Sequence, residues 1–555
     1  VACGFLGAIA SESLAGAPVA SPAPTPSLVW ATRKAPPKLI SLPTARPSLA
    51  PEVVRAPKRR AATLSPRIAQ DSQSKAATLT RAAPQDDRPP ISPYSGKIGF
   101  LLTDLDSGRV LSQRRAAEPF IPASVTKLIS AFYALDTLGD AFRFATYLKT
   151  DGRVDGDTLK GDLYLQGTGD PTLDTADLAR MVKALAAQGI RRVEGDFIFD
   201  AEALPIAPRL SEGQPIDAPY NPSISGLNLN FNRVLMKWQR AKNGKYALDL
   251  YAHASKKSLP AVSVVSELLP RDDGGRMLNY RRLATVEAPE GASLLEEVEA
   301  WTISKQILGR RGSRWLPVQR PGAYAATTFH ALAREAGIEI DEPEPGATSV
   351  EARIVHTHLS KPMRDIVRGM LKYSTNLTAE ALGLAASELR GLSPLSFDGS
   401  AAEMSLWVRE RFGLDEEVSS ETAALLANHS GLTPRSRMSP EQTVSILRDA
   451  LSAGGRFEGV EDLIPAYRSR AIRGAKVRAK TGTMYYGRGL AGVIECTGGP
   501  RLGFAIYSTD LAERGKFDAL NIRDGQSAPK KARRWLRRAR EVERRVVNDW
   551  VKRKC

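Results

Sequence analysis

Three short polar motifs, in one order along the chain, constrain its fold more than any other feature. Ser124-Val-Thr-Lys127 opens a segment whose apolar residues recur at spacings of three and four, which predicts an amphipathic helix. Ser374-Thr-Asn376 falls at a break between two helical patterns, and Lys480-Thr-Gly482 lies in a strand-like run. If the motifs form one site, the fold has to bring a helix start, a helix junction and a strand together.

The first motif has the composition of a nucleophile and its base. Residues three apart share a face of a helix, so Lys127 is expected beside Ser124. A serine near a helix N-terminus lies where unpaired N–H groups favour developing negative charge. A serine hydroxyl is a weak nucleophile until a neighbour takes its proton, and a lysine can do so once desolvation and nearby cations lower its pKa.

The Ser-x-x-Lys spacing alone is weak evidence, because Ser72–Lys75 and Ser527–Lys530 match it too. Neither of these is followed by an amphipathic helix flanked by strands. Taken alone, Ser124 would be interpreted as a solvated serine at a helix start. The two further motifs, each on the type of element that its role requires, favour catalysis instead.

Together the three motifs resemble those of the serine D,D-peptidases, penicillin-binding proteins and serine β-lactamases. The segment between Lys127 and Ser374 is far longer than compact β-lactamases allow. It resembles the D-alanyl-D-alanine carboxypeptidase/endopeptidase family (low-molecular-mass class C penicillin-binding proteins, peptidase S13-like), which carries extra domains at this place. The resemblance covers residues 94–512 and extends to further segments: Gly161–Leu173, Val193–Asp200, Tyr220–Arg233, Ser430–Arg435 and Lys480–Thr483.

The resemblance implies a catalytic role for five residues of the motifs. Ser124 would be the acylated nucleophile, and Lys127 would be the base that activates it. Ser374, helped by Lys480, would relay a proton to the leaving amine. Asn376 would hydrogen-bond the peptide of the substrate.

The resemblance also implies that the third motif binds substrate. Thr481 would hold the terminal carboxylate together with Lys480, and Gly482 would let the substrate backbone lie close to the strand. The backbone N–H groups of Thr483 and Ser124 would form an oxyanion hole.

Two positions depart from the family pattern and concern substrate preference. Thr375 stands where the family often has Asp, and Asn428-His-Ser-Gly431 replaces the usual Asp-Gly-Ser-Gly. Tyr485 and Tyr486, just past the third motif, are hypothetical residues of the cleft wall.

The predicted fold class is α/β and β-lactamase/transpeptidase-like: an antiparallel sheet with flanking helices, an inserted α/β domain and a nested β-rich domain. The chain of 555 residues is long enough for several domains. The predicted boundaries are 1–93 for an export-signal remnant and a disordered Pro/Ala/Arg linker, 94–150 with 355–515 for the catalytic domain, 151–227 with 301–354 for the inserted domain, 228–300 for the nested β-rich domain and 516–555 for a basic amphipathic tail.

The formal net charge of +17 is concentrated in two tails, around Arg55–Arg60 and Lys530–Lys554. No zinc-finger spacing, RNA-recognition motif or P-loop accompanies it, so no nucleic acid is expected as a partner. In the second tail, Trp535 and Trp550 belong to an apolar stripe beside an arginine-dense remainder. This pattern suits an anionic membrane surface or a partner groove, and equally a solvated tail.

The termini and the cysteines bear on the compartment. Phe5–Ala10 is apolar and Ala15-Gly-Ala17 fits a cleavage site, which indicates the remnant of an export signal. The expected location is therefore periplasmic or otherwise extracytoplasmic, with membrane association as a second expectation. The three cysteines predict no disulfide framework. Cys496, in a strand-like run, is expected to be a buried thiol.

The predicted activity is that of a serine D,D-peptidase acting on D-Ala-D-Ala termini or D-Ala crosslinks of peptidoglycan stem peptides, with β-lactams as covalent inhibitors. No cofactor is expected; His356 and His358 form the only close histidine pair, and no further metal ligands are placed near them. Two alternatives stay open: a serine β-lactamase, and a non-catalytic scaffold that binds the cell wall.

Overall fold

The computed structural model describes residues 95–254, 257–269, 278–284, 297–412, 426–451, 457, 459–469, 472–520 and 529–555. The predicted export-signal remnant and linker therefore lie outside the described residues. Within them, the helices are α1 (Thr126–Leu138), α2 (Thr175–Ala187), α3 (Pro321–Glu335), α4 (Met363–Tyr373), α5 (Asn376–Leu389), α6 (Phe397–Phe412), α7 (Pro440–Leu451), α8 (Leu511–Ala519) and α9 (Lys530–Lys554).

The described strands form five sheets, four of them within residues 145–359, and two of these four belong to the nested β-rich region. In chain order the strands are β1 (Lys97–Asp104), β2 (Val110–Arg114), β3 (Ala145–Thr150), β4 (Arg153–Asp155), β5 (Thr158–Lys160), β6 (Leu163–Gly167), β7 (Arg192–Glu194), β8 (Phe197–Asp200), β9 (Arg233–Arg240), β10 (Tyr246–His253), β11 (Ser258–Pro260), β12 (Val264–Leu269), β13 (Leu278–Ala284), β14 (Glu297–Ser304), β15 (Arg311–Pro317), β16 (Pro343–Pro345), β17 (Arg353–Leu359), β18 (Ala475–Met484), β19 (Gly487–Cys496) and β20 (Arg501–Thr509).

The catalytic sheet joins the two ends of the described chain. Its order is β18-β19-β20-β1-β2, and every neighbouring pair is antiparallel. Strands β19 and β20 are almost entirely buried along their length. A strand that is covered on both faces has a continuous apolar sequence, and this explains why these two segments show no alternation of polar and apolar residues.

One face of the catalytic sheet is covered by helices. Leu128 and Phe132 of α1 share a core with Leu447 of α7 and with Ala491 and Ala505 of the sheet. The predicted helix after the first motif is present, although residues 123–125 form a 3-10 turn before α1 begins.

The other face of the catalytic sheet is covered by α9. The Trp550 ring contacts Phe100 and Phe504 edge-on, with ring centroids 5.6 and 5.9 Å apart, and Val542 and Val546 share this core. The apolar stripe predicted in this segment is present on α9, and it is buried against the protein's own catalytic sheet. The segment therefore packs on the catalytic domain instead of forming a separate tail, and only its arginine-rich side is exposed.

A disulfide bond corrects the expectation for the cysteines. Cys496 at the end of β19 is bonded to Cys555, which follows α9, with their Cα atoms 5.0 Å apart. Cys496 is therefore not a free buried thiol. The pairing brings together residues 59 apart in sequence, and only the docking of α9 on the sheet makes it available.

The inserted region has its own sheet, in the order β16-β8-β6-β3-β17, packed against α2 and α3. Tyr147 of β3 lies opposite Thr357 of β17, so this sheet runs beyond the predicted limits at residues 150 and 355. The nested region also continues past residue 300, because β15 pairs with β9. Its strands form sheets in the orders β11-β10-β9-β15 and β12-β14-β13.

Candidate active site

The predicted nucleophile and base are adjacent. Ser124 lies in the 3-10 turn before α1, and Lys127 lies in the first turn of that helix. Lys127 Nζ is 3.1 Å from Ser124 Oγ. The lysine side chain is fully buried although Ser124 is only half-buried, so the amine meets the hydroxyl from the protein interior.

The other neighbours of the Lys127 amine are oxygen acceptors. Its Nζ donates to Asn376 Oδ1 at 2.6 Å and to the backbone carbonyl of Ser430 at 2.5 Å. Burial, followed by the positive charge of Lys480, holds the pKa of Lys127 well below its usual value, against the smaller opposing effect of Glu380. Burial of this amine therefore disfavours its charged form compared with a lysine in water.

The second and third motifs meet at another lysine. Ser374 lies between α4 and α5 with a left-handed backbone, φ 57°. Lys480 Nζ on β18 donates to Ser374 Oγ at 2.9 Å and to the carbonyl of Thr481 at 2.8 Å. Burial and the nearby Arg488 lower the pKa of Lys480 to about 7.

Asn376 connects the Lys127 amine to the inserted region. It is the first residue of α5, two positions after Ser374. Its Nδ2 donates to the carbonyl of Tyr220 at 2.8 Å, while its Oδ1 accepts from Lys127. Because the amide oxygen faces a donor and the amide nitrogen faces an acceptor, the surrounding hydrogen bonds determine which way the side-chain amide is oriented.

Gly482 stands where β18 approaches the turn that carries the nucleophile. A Cβ atom at this position would overlap the Pro122 carbonyl oxygen and come within 3.1 Å of Ser124 N. The sequence predicted space for a substrate backbone here. The structure gives a second reason for glycine, which is the close approach of strand and turn.

The segment that departs from the family pattern supports Lys127 from behind. Glu380 on α5 is buried and accepts the backbone N–H groups of His429 and Ser430 at 3.2 and 3.0 Å. These bonds hold the Ser430 carbonyl against Lys127. Sequence reasoning quoted the Ser430 segment but missed Glu380, because nothing in the local pattern of α5 distinguishes it from an ordinary helical carboxylate.

The His429 side chain packs over Gly383 in α5. Its ring stacks on Tyr133 with centroids 6.1 Å apart, and its Nε2 lies 2.8 Å from Ser400 Oγ. A Cβ atom at Gly383 would overlap the imidazole. Burial lowers the pKa of His429 to about 3, so the imidazole is a neutral packing group.

Of the two tyrosines after the third motif, Tyr486 does not fit the hypothesis of a cleft wall. Tyr486 is buried and packs against Phe517 and Trp535, at centroid distances of 6.1 and 5.4 Å. It therefore belongs to the contact between α8 and α9. Tyr485 is half-buried and also packs on Phe517, at 5.1 Å.

The histidine pair lies on a strand of the sheet of the inserted region. His356 and His358 are on β17, where His358 Nε2 is 3.9 Å from Asp170 and 4.0 Å from Asp177. Among the described residues, no group of three or more His, Cys, Asp or Glu side chains is arranged to hold a metal ion.

The fold and the site define a serine enzyme of the transpeptidase-like class. A crystal structure of penicillin binding protein 4 (dacB) from Haemophilus influenzae matches with a TM-score of 0.61 at 19% identity, over 82% of this chain and 97% of that one. The same protein in complex with a β-lactam matches with a TM-score of 0.60. These matches confirm the predicted fold class.

The chain belongs to the D-Ala-D-Ala carboxypeptidase 3 (S13) family, whose model matches residues 89–262 and 306–530. D-alanyl-D-alanine carboxypeptidase DacB of Haemophilus influenzae is 24% identical over 76% of this chain and 88% of its own. D-alanyl-D-alanine carboxypeptidase of Actinomadura sp. (strain R39) is 27% identical over 78% of this chain and 83% of its own. The predicted family and the predicted class of enzyme, a serine-type D-Ala-D-Ala carboxypeptidase, are confirmed.

Proposed function

We propose that Ser124 attacks the carbonyl carbon of the penultimate D-Ala in a peptidoglycan stem peptide and forms an ester with it. The observation that carries this proposal is the hydrogen bonding of Lys127. A neutral amine has two N–H groups and one lone pair. The Asn376 and Ser430 oxygens accept the two N–H groups, so the lone pair is left for the hydroxyl proton of Ser124, 3.1 Å away.

The proton that Ser124 gives up passes to Lys127 as the new C–O bond forms. The C–N bond to the terminal D-Ala then breaks, and its amine needs a proton. Ser374 and Lys480, joined at 2.9 Å, are the pair proposed to deliver it. Water then attacks the ester, releases the shortened peptide and restores the Ser124 hydroxyl, so no cofactor enters the reaction.

The substrate is proposed to lie along the outer edge of β18. Lys480 and Thr481 would bind the terminal carboxylate, because a buried ammonium and a hydroxyl suit an anion. The N–H groups of Ser124 and Thr483 would bind the oxyanion, and a donor of this kind contributes about 3 kcal/mol. Gly482 keeps the strand and the serine turn close together.

β-Lactams are the proposed covalent inhibitors, since the amide of their ring would be attacked by Ser124 in place of the D-Ala-D-Ala bond. The β-lactam complex of the Haemophilus influenzae protein supports this. The decisive experiment is mass spectrometry of the intact protein after incubation with benzylpenicillin, followed by mapping of the modified peptide. We expect a long-lived adduct on Ser124.

Two variants sharpen this experiment. Ser124→Ala should abolish both the adduct and hydrolysis of a D-Ala-D-Ala peptide. Ser72→Ala, which alters another Ser-x-x-Lys motif, should change neither. Rapid release of hydrolysed penicillin by the parent protein would instead indicate a β-lactamase, and a parent with no adduct and no peptide hydrolysis would indicate a scaffold.

The site of action is proposed to be outside the cytoplasm. The Cys496–Cys555 disulfide supports this, because structural disulfides persist in oxidising compartments. Among the described helices, none is both long and apolar enough to cross a membrane. The exposed side of α9, which includes Arg533, Arg537 and Arg544, is a proposed contact for anionic lipid, and cosedimentation with anionic against neutral vesicles tests it.

A further inference from the structure

The buried face of α9 carries one acid in an otherwise apolar stripe. Glu543 is 2% exposed and accepts from Arg488 Nε at 2.5 Å and from Arg488 Nη2 at 2.8 Å. Arg488, on β19, is itself 7% exposed. Removing two charges from water costs several kcal/mol per ion, so a buried pair is a poor source of stability. Its geometry indicates a different use.

The third guanidinium nitrogen of Arg488, Nη1, is directed at β18, the strand that carries the third motif. Arg488 lies opposite Thr483 in the β18–β19 register. Its Nη1 donates to the Gly482 carbonyl at 3.1 Å and to the Thr483 hydroxyl. One planar group therefore contacts the helix with one edge and the Gly482–Thr483 segment with the other. A guanidinium suits this because its donors are fixed in a rigid fork.

A second attachment holds α9 to the same strand. The disulfide joins Cys496, the last residue of β19, to Cys555, whereas Arg488 is the second residue of β19. The apolar contacts of Val546 and Trp550 lie along the helix between Glu543 and Cys555. The helix is thus fastened to both ends of the strand that borders the third motif.

We propose that Arg488 and Glu543 are a positioning pair, through which α9 holds Gly482 and Thr483 in place beside Ser124. Neither residue touches the reacting atoms; the guanidinium orients the strand, and the carboxylate orients the guanidinium. The inference rests on the proposed acylation of Ser124. It extends the machinery to a helix that begins at Lys530, the residue at which the family match ends.

The charge of Arg488 gives the proposal a separate readout. Among the described residues, Arg488 from β19 lowers the pKa of Lys480, and Lys480 lowers the pKa of Lys127 on α1. Removing the Arg488 cation raises the pKa of Lys480 from its value of about 7. Since the protonated Lys480 is proposed to deliver a proton and bind the carboxylate, activity is lost as the pH rises through this pKa. This loss forms the alkaline limb of the pH–rate profile. Without the cation, the alkaline limb moves to higher pH.

The test compares four variants by the rate of benzylpenicillin acylation and by its pH profile. Arg488→Met combined with Glu543→Leu replaces the pair by apolar groups of similar volume, a change that buried pairs tolerate. We expect a melting temperature close to that of the parent, acylation slower by about tenfold to a hundredfold, and an alkaline limb at higher pH. Equal rates and an unmoved limb in a folded double variant overturn the proposal.

Two single variants separate geometry from charge. Arg488→Lys keeps the cation but not the fork, so we expect a slower rate with the alkaline limb in its original place. Glu543→Gln leaves the guanidinium without its counter-charge, and we expect a slower rate here too. Parental rates in both overturn the proposal even if the double variant fails to fold.

Glu541→Gln is the matched control, because Glu541 lies on the same helix and pairs with Arg545 near the surface. We expect its rate and pH profile to equal those of the parent. The parent also separates the two proposals. If the parent forms no adduct on Ser124, the proposed function fails. If the parent is acylated and the variants match it, only the positioning pair fails.

Discussion

Lys127 Nζ lies 3.1 Å from Ser124 Oγ, and its two other hydrogen-bond partners are carbonyl oxygens that can only accept. This arrangement predicts a direction for the pH dependence. Lowering the pH through the depressed pKa of Lys127 protonates the amine and removes the lone pair that the Ser124 proton needs. Benzylpenicillin acylation should therefore slow as the pH falls, and a constant rate down to the pH of unfolding would contradict the assignment.

Lys127→Arg tests the same base without a change of pH. A guanidinium cannot be deprotonated in a protein, so it cannot accept the Ser124 proton. General-base catalysis accelerates a reaction roughly 10²- to 10⁴-fold, and we expect the acylation rate to fall by a factor in that range. Circular dichroism should show that the fold is retained. Lys183→Arg, an exposed change on α2, is the control. Retention of the parental rate in Lys127→Arg would show that another group is the base.

Gly482→Ala should reduce both stability and acylation. The added Cβ overlaps the Pro122 carbonyl, so either β18 or the turn carrying Ser124 has to move. Overpacking of this kind costs about 1–3 kcal/mol, which thermal unfolding measures, and the displaced turn should slow acylation. Gly515→Ala on α8 is the control, because a Cβ there meets no atom within 4 Å. Equal behaviour of the two variants would contradict the close approach.

The sequence was informative where a function depends on a local pattern. Ser124 and Lys127 share one turn, and the break at Ser374 is visible as an interruption between two helical periods. Their elements could therefore be predicted, and the order of the motifs indicated that they meet. Glu380 could not be found in this way, because its role depends on backbone N–H groups about 50 residues further along the chain.

The partner of an amphipathic face is equally invisible to the sequence. The stripe through Trp535 and Trp550 predicts that one side of α9 is buried, but hydrophobic periodicity does not say against what. A membrane, a partner protein and the protein's own sheet could each cover the apolar face that this periodicity predicts. The Arg488–Glu543 and Cys496–Cys555 pairs depend on the same docking and were missed for the same reason.

The disulfide predicts a stability that depends on redox conditions. A link between residues 59 apart removes chain entropy from the unfolded state, by about 4 kcal/mol for a loop of that size. Cys555→Ser should therefore lower the melting temperature, whereas Cys3→Ser should leave it unchanged. Thiol labelling of the unreduced, unfolded protein should modify Cys3 alone. Labelling of all three cysteines would contradict the pairing.

His429 and Gly383 predict a coupled pair of substitutions. Gly383→Ala alone drives a methyl group into the buried imidazole, so we expect a marked loss of stability. His429→Gly alone removes the stacking on Tyr133 and the contact with Ser400, and leaves a cavity.

In the double variant the alanine methyl enters the space that the imidazole has left. Its loss of stability should therefore be smaller than the sum of the two single losses, by a coupling free energy of about 0.5–3 kcal/mol in thermal or denaturant unfolding. Gly369→Ala combined with His429→Gly is the control, because a Cβ at Gly369 meets no atom within 4 Å and should simply add. Since the backbone of His429 leads into the Ser430 carbonyl that accepts from Lys127, acylation should recover together with stability. Additive losses in the first double variant would show that the imidazole does not fill the space above Gly383.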